Sequence, residues 1–348
     1  MSAGFKAVQW NRRKLIYDGI LIASVALFIG TFIAIGAARN PPGDQAAWIG
    51  LRIKAFGTCA FVMLTIILMI GPLARLSPRF LPLLYNRRHF GVLTFLVALT
   101  HAYSVVDWFS LQGAMGDLMA EMTNNPKYGQ FIGFPIKALG LIGLSIMFVL
   151  AATSHDFWLA FLTPRIWKAL HMGLYFAYGV LVMHVALGLM QDDRRAFIPV
   201  LLGGSFALVT LLHALAAWRE WPADRRVALS PEHWIAVGPP HSIPDQRARI
   251  VTAPSGERIA VFRDGDQIGA LTNVCAHQNG PIGEGCILNG LVTCPWHGYE
   301  YRLEDGGAPP PFAEKLATYR VRLRDGIVEV DPHALAPGTR AAINIATA

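Results

Sequence analysis

The sequence predicts an all-α bundle of six transmembrane helices followed by a small all-β domain, and three observations carry that expectation. The chain of 348 residues is 53% hydrophobic and only 15% charged, too apolar for an ordinary soluble protein. Before residue 217, apolar stretches recur at about the 20-residue length needed to cross a bilayer. Beyond residue 233 the pattern changes to short β-rich runs separated by Asp-Gly turns.

Charge follows the same division. Residues 1–217 hold 17 of the 30 Lys and Arg but only 8 of the 23 Asp and Glu, so the basic excess belongs to the apolar part. The later residues are slightly acidic, which argues against a nucleic-acid partner and for membrane-flanking charge.

The first stretch, "NRRKLIYDGILIASVALFIGTFIAIGAA", is too long an apolar run for a cleaved signal peptide and is read as a retained span. Spans are expected at about 17–38, 55–73, 90–108, 134–153, 167–189 and 196–217, making 1–217 the membrane domain. An even number puts both termini on one side. That side carries 13 Lys and Arg against 7 opposite, so the termini and the β domain are expected in the cytoplasm. Arg52 and Lys54, beside the second span, run against this rule.

After the last span "WREWPADRRVALSPE", residues 218–232, reads as an interfacial anchor and linker. The β domain is expected over 233–332, with Asp-Gly turns at 264–265 and 325–326. Residues 333–348 show no usable pattern and are expected to form a loosely ordered tail.

Of the four cysteines, Cys59 lies in a span and Cys275, Cys286 and Cys294 in the β domain, which does not suggest a disulfide framework. Two of them form an array: Cys275-x-His277, sixteen residues, then Cys294-x-x-His297. Zinc is the structural alternative, although zinc arrays usually pair like ligands with like. One thiolate and one imidazole per loop suits an asymmetric [2Fe–2S] centre, with two thiolates on one iron and two imidazoles on the other.

Within the spans stand His101 in the third and His171 and His184 in the fifth. Ionisable residues in spans are costly and usually functional, and imidazole is the common axial ligand of haem iron. Third and fifth spans run the same way, and at 1.5 Å per residue His101 and His184 fall about 9 Å apart in depth before tilt, a gap that a few residues of span boundary can close. His171, thirteen residues before His184, lies about 20 Å nearer the cytoplasm and suits a second, inner haem. Arg87, His89, His155 and His213 are the residues near that depth, and none is a clean partner.

"CAHQNGPIGEG", "GLVTCPWHGYEY" and "GGAPPPF" resemble the three loops of a Rieske ferredoxin domain. In Rieske proteins of respiratory bc complexes an extra cysteine in each cluster loop forms a disulfide. The matching positions here are Gly280 and Trp296, so that disulfide is absent. The same resemblance puts Tyr299 where a serine hydroxyl bonds the cluster, and keeps the tyrosine as Tyr301.

"NRRHFGVLTFLVALTHAYS" and "LAATSHDFWLAFLTPRIWKALHMGLYFAYGVLVMH" resemble the ferric-reductase-like transmembrane family, which includes the membrane subunit of bacterial periplasmic methionine sulfoxide reductase systems. The resemblance implies haem b, one or two, at the positions of His101, His171 and His184. It also implies the bacterial inner membrane. Flavin and nicotinamide modules found in some members have no counterpart here.

The expectation is a membrane-bound electron-transfer oxidoreductase. A cytoplasmic ferredoxin or flavoprotein reductase reduces the cluster, and electrons pass through haem to a periplasmic acceptor. A quinone-linked subunit and a non-enzymatic redox sensor are the alternatives. A Rieske oxygenase would need a further iron site, for which the 131 residues after the last span leave no room. With Tyr299 in place of the serine, the cluster potential is expected in the lower half of the Rieske range of about −150 to +300 mV. A potentiometric EPR titration measures it, and a value near the top contradicts the reading.

Overall fold

The computed structural model describes residues 12–84, 87–123, 135–192, 197–225, 234–277, 279–296 and 298–347. Two compact units result, one from Trp10–Ile70 with Asn86–His213, the other mainly from Gly71–Tyr85 with Ala214–Ala348.

The helices are α1 (Arg12–Arg39), α2 (Gln45–Leu76), α3 (Leu81–Leu84), α4 (Arg87–Leu111), α5 (Met115–Thr123), α6 (Ile136–Ala152), α7 (Asp156–Asp192) and α8 (Phe197–Arg225). Among the described residues five are long and apolar enough to cross a membrane, through Leu15–Arg39, Gln45–Leu76, Arg87–Leu111, Ala169–Gly188 and Pro199–Arg219. The sixth expected span is α6, whose 17 residues sit at the lower limit of spanning length.

Local chemistry sets the helix ends. Pro41 and Pro42 follow α1, and Asp44 Oδ1 caps α2 by accepting the Ala47 N–H at 2.7 Å. At the other end of α2, Arg219 Nη1 donates to Leu76 O at 2.5 Å, satisfying a terminal carbonyl. Only Thr153–His155 separate α6 from α7. The two helices pack closely because Gly143 lets Leu181 in: a methyl on that glycine would lie 2.7 Å from Leu181 Cδ2. α2, α7 and α8 share a core of Phe61, Leu64, Leu68, Tyr178, Leu202 and Val209, with Phe61 stacked on Tyr178 at 5.9 Å. No side chain of α1 along Leu15–Arg39 is buried; its polar tie is Asp18, which meets His89 Nδ1 of α4 at 2.7 Å.

The β unit holds β1 (Ile235–Gly238), β2 (Arg247–Thr252), β3 (Arg258–Asp264), β4 (Gln267–Thr272), β5 (Cys286–Leu288), β6 (Leu291–Thr293), β7 (Glu300–Arg302), β8 (Thr318–Tyr319), β9 (Val321–Arg324), β10 (Ile327–Val330) and β11 (Ile343–Asn344). They form sheets β1-β10-β9, β11-β4-β3-β2 with β8 beside β4, and β5-β6-β7. The Asp-Gly turns fall between β3 and β4 and between β9 and β10. In the latter, Asp325 and Gly326 both have positive φ, 51° and 75°, as the tight hairpin requires. The third sheet carries the ligand loops at its ends: β5 and β6 lie between them, and β7 follows the second.

The final residues differ from the expectation of a loose tail. Ile343 pairs with Ile268 and Asn344 with Gln267, making β11 an edge strand of the second sheet. Thr318 Oγ1 donates to Thr339 O at 2.8 Å, the Ala341 N–H to Glu304 O at 3.0 Å, and the Ile345 N–H to Asp266 O at 2.8 Å. Backbone pairing, which needs no hydrophobic period, orders the segment. Deleting residues 340–348 from the full chain is expected to lower the thermal midpoint of the β unit by roughly 5 °C per kcal/mol lost. Loss of visible absorbance on heating reads this, and an unchanged midpoint contradicts it.

Candidate metal centres

His101 on α4 and His184 on α7 face each other, with ring centroids 6.4 Å apart and planes at 81°. Each ring is tied by one nitrogen. His101 Nδ1 lies 2.9 Å from Ile53 O, and His184 Nδ1 lies 2.7 Å from Ile136 O. A carbonyl only accepts, so both Nδ1 atoms carry the proton and both Nε2 atoms keep a lone pair for a metal.

The spacing fits a metal between two imidazoles. Bonds of about 2 Å on either side, plus about 1 Å from each ring nitrogen to its ring centre, span about 6 Å. Two imidazoles of this kind would hold haem b, which would supply one-electron chemistry there.

Glycines make the room. A Cβ on Gly57 of α2 would sit 2.9 Å from His101 Cε1 and Nδ1, and one on Gly140 of α6 would sit 3.0 Å from His184 Cε1. Charges flank the same region: Arg52 donates to Ser104 Oγ at 3.0 Å and pairs with Asp107, while Lys137 pairs with Glu121. Arg52, which runs against the charge rule for orientation, is therefore offset by a carboxylate.

His171 is placed differently. Its Nδ1 lies 3.0 Å from Trp167 O one turn earlier, and its ring stacks on Trp167 at 3.8 Å. Its Nε2 is buried with no hydrogen-bond partner among the described residues. The other histidines near that depth have roles of their own. His213 bonds Val209 O through Nδ1 and accepts from the Tyr175 hydroxyl at 3.0 Å through Nε2. His89 is held by Asp18.

In the β unit the two ligand loops are built alike. In the first, the Cys275 N–H donates to Gly280 O at 2.9 Å and Cys275 O accepts the Asn279 N–H at 2.8 Å. In the second, the Cys294 N–H donates to Tyr299 O at 2.8 Å and Cys294 O accepts the Gly298 N–H at 2.9 Å. Asn279 and Gly298, at the same place in each turn, both have positive φ, 56° and 67°. Both cysteines are buried. His297 lies outside the described residues. Among those described, no three His, Cys, Asp or Glu side chains gather round one point. An asymmetric two-iron group, with two protein ligands per iron, asks for no such triple.

The positions of the missing disulfide touch. A Cβ on Gly280 would lie 3.2 Å from Trp296 Cγ and 2.7 Å from Cys294 Sγ, so an indole packed on a glycine joins the loops where a disulfide would. Gly285 is needed equally, since its Cβ would meet Thr293 O at 2.1 Å. Asn273 Oδ1 accepts the Gly283 N–H at 2.6 Å and steadies the turn after the first loop.

Tyr301, fully buried, sets its hydroxyl 3.3 Å from Cys275 Sγ and accepts the Ala276 N–H at 3.1 Å. Burial pushes the Cys275 thiol up, but hydrogen bonds from Cys294, Tyr301 and the backbone outweigh it and bring Cys275 down to about 6. Burial, with the thiolate charge beside it, pushes the Tyr301 hydroxyl well up, so Tyr301 remains a donor.

Residues 233–320 match the Rieske [2Fe-2S] domain, and residues 56–182 the ferric reductase like transmembrane component. The anthranilate 1,2-dioxygenase ferredoxin subunit of Burkholderia cepacia is 39% identical over 75 residues, 21% of this chain and 68% of that protein. The protein-methionine-sulfoxide reductase heme-binding subunit MsrQ of Caulobacter vibrioides is 28% identical over 225 residues, covering 63% of this chain and 96% of that subunit. The cytochrome b6-f complex iron-sulfur subunit of Chlorobaculum tepidum is 25% identical over 145 residues, 40% of this chain and 75% of that subunit.

A membrane protein that joins these two components is an electron-transfer oxidoreductase. The chain belongs to the Rieske [2Fe-2S] family through its C-terminal domain, and residues 56–182 of its helical part are similar to the ferric reductase like transmembrane component.

Sequence reasoning missed Gly57 and Gly140. Their signal lies in register, each glycine four residues beyond the carbonyl that ties the facing ring. Gly57→Ala or Gly140→Ala is expected to weaken haem retention about tenfold for every 1.4 kcal/mol of overpacking. Haem quantified against protein after purification checks this, and full haem in both variants contradicts it.

Proposed function

We propose that this protein carries electrons across the bacterial inner membrane, from a cytoplasmic Rieske cluster to a haem b held by His101 and His184, and on to a periplasmic acceptor. Cys275, Cys294, His277 and His297 hold the cluster. The facing pair of carbonyl-tied imidazoles carries the reading, because it supplies two metal-ready nitrogens inside an apolar bundle. The heme-binding description of the MsrQ relative supports haem as the group between them.

The domains of this proposal are 1–217 in the membrane, a linker over 218–232, and the Rieske domain from 233. Orientation is supported by the Lys and Arg excess on the terminus side and by the ion pairs that offset Arg52 and Lys137 on the other.

When bound, the cluster and the haem would each supply one-electron chemistry. The chain fixes their place and environment: Ile53 and Ile136 aim the imidazoles, the bundle excludes water from them, and the mirrored turns hold the thiolates beneath Tyr301. On the donor side this reading takes a cytoplasmic ferredoxin or flavoprotein reductase, and the ferredoxin-subunit relatives support an electron-carrier role for the β domain. The link also holds the cluster at high local concentration near the membrane.

His171 lacks a facing histidine among the described residues, so this reading has one haem, with His171 outside its coordination. A reduced-minus-oxidised absorption spectrum of the purified protein is expected to show one low-spin haem b per chain. His101→Ala and His184→Ala are expected to abolish that signal, and His171→Ala to keep it. An unchanged spectrum in His101→Ala contradicts the reading.

A further inference from the structure

Tyr299 stands where the Rieske resemblance places a serine whose hydroxyl bonds the cluster, and a tyrosine hydroxyl is chemically able to do the same. The structure sends it elsewhere. The Tyr299 ring lies flat on His277, with centroids 5.1 Å apart and planes within 9°, and its hydroxyl donates to Glu314 Oε2. The same carboxylate oxygen accepts the Ala313 N–H at 3.0 Å. Phe312, two residues before Glu314, packs on the Tyr299 ring at 4.8 Å. A phenol has one proton, so Tyr299 cannot also donate to the cluster.

We propose that Glu314 is a positioning residue that sets the cluster potential low, by drawing the Tyr299 hydroxyl away from the ligand loops and by holding a negative charge at the end of the ring that stacks on His277. The inference rests on the ligand assignment made above. Two effects act in one direction. A donor to the cluster favours its more negative, reduced form, and here Tyr301 alone of the two tyrosines sits against a ligand sulfur. A carboxylate nearby disfavours that form through Coulomb repulsion.

The carboxylate stays ionised. Partial burial pushes Glu314 up, but the bonds from Tyr299 and from backbone N–H groups hold it below the usual range.

The test is a potentiometric EPR titration of the full chain in wild type, Glu314→Gln, Glu314→Lys, Glu314→Asp, Tyr299→Phe and Tyr301→Phe. The expected result is an upward shift in Glu314→Gln, a larger one in Glu314→Lys, and a value close to wild type in Glu314→Asp. Tyr301→Phe is expected to shift the potential down, and Tyr299→Phe to shift it down by less. A normal cluster signal whose potential ignores the Glu314 series overturns the proposal. So does a fall in Tyr299→Phe equal to that in Tyr301→Phe. Loss of the signal throughout the Glu314 series, Asp included, also overturns it, because Glu314 then holds the loop and does not tune it. A wild-type protein without a Rieske EPR signal overturns the ligand assignment, and the proposal with it.

Discussion

An imidazole inside a membrane bundle can serve a metal only if one nitrogen is spoken for and the other is left bare. Ile53 O and Ile136 O impose that condition on His101 and His184. Both carbonyls come from helices other than those bearing the rings, so the site requires four helices, α2, α4, α6 and α7, in one register. Much else in the membrane unit serves this register. Gly143 brings α6 and α7 together, Arg52 bonds Ser104 and Asp107 to join α2 to α4, and Lys137 with Glu121 joins α6 to α5. A buried polar ring costs free energy unless it is satisfied, so the same carbonyls that aim the imidazoles also let the bundle tolerate them.

The β unit solves a similar problem with backbone alone. Two short loops of different sequence fold to one hydrogen-bond pattern, each closing a turn around its cysteine and requiring one positive φ. Asn279 meets that need in one loop and Gly298 in the other, as expected of residues that tolerate the left-handed region. Trp296 on Gly280 then joins the loops, where a covalent bond serves in related domains of bc complexes. Packing of this kind depends on both partners at once. Tyr299, just before β7, and Tyr301, within it, serve different tasks, one at Glu314 and one at Cys275.

Much of this was legible in the sequence because its signals are local. Spans announce themselves by some twenty apolar residues, cluster loops by Cys-x-His and Cys-x-x-His, and hairpins by Asp-Gly. Helix rise left His101 and His184 about 9 Å apart in depth, near enough to be brought level by tilt, and the structure sets their rings 6.4 Å apart. Space and direction were not legible. That Gly57 and Gly140 make room for rings on other helices is a property of packing, and no span pattern carries it. The direction of the Tyr299 hydroxyl depends on Glu314, fifteen residues away across a proline-rich loop. β11 escaped because a two-residue edge strand shows no alternation. α6 was legible as apolar but sits at the edge of spanning length, so its role rests on its packing against α7.

In the proposed function electrons enter at the cluster and leave it for the membrane haem. The most direct measurement is rapid-mixing absorption of the full chain with a one-electron ferredoxin donor, following cluster and haem bands together in wild type and in Cys294→Ser. The expected result is cluster reduction ahead of haem reduction in wild type, and haem that stays oxidised in Cys294→Ser. Haem reduced at the same rate without the cluster would contradict the claim and leave the two centres as separate carriers on one chain.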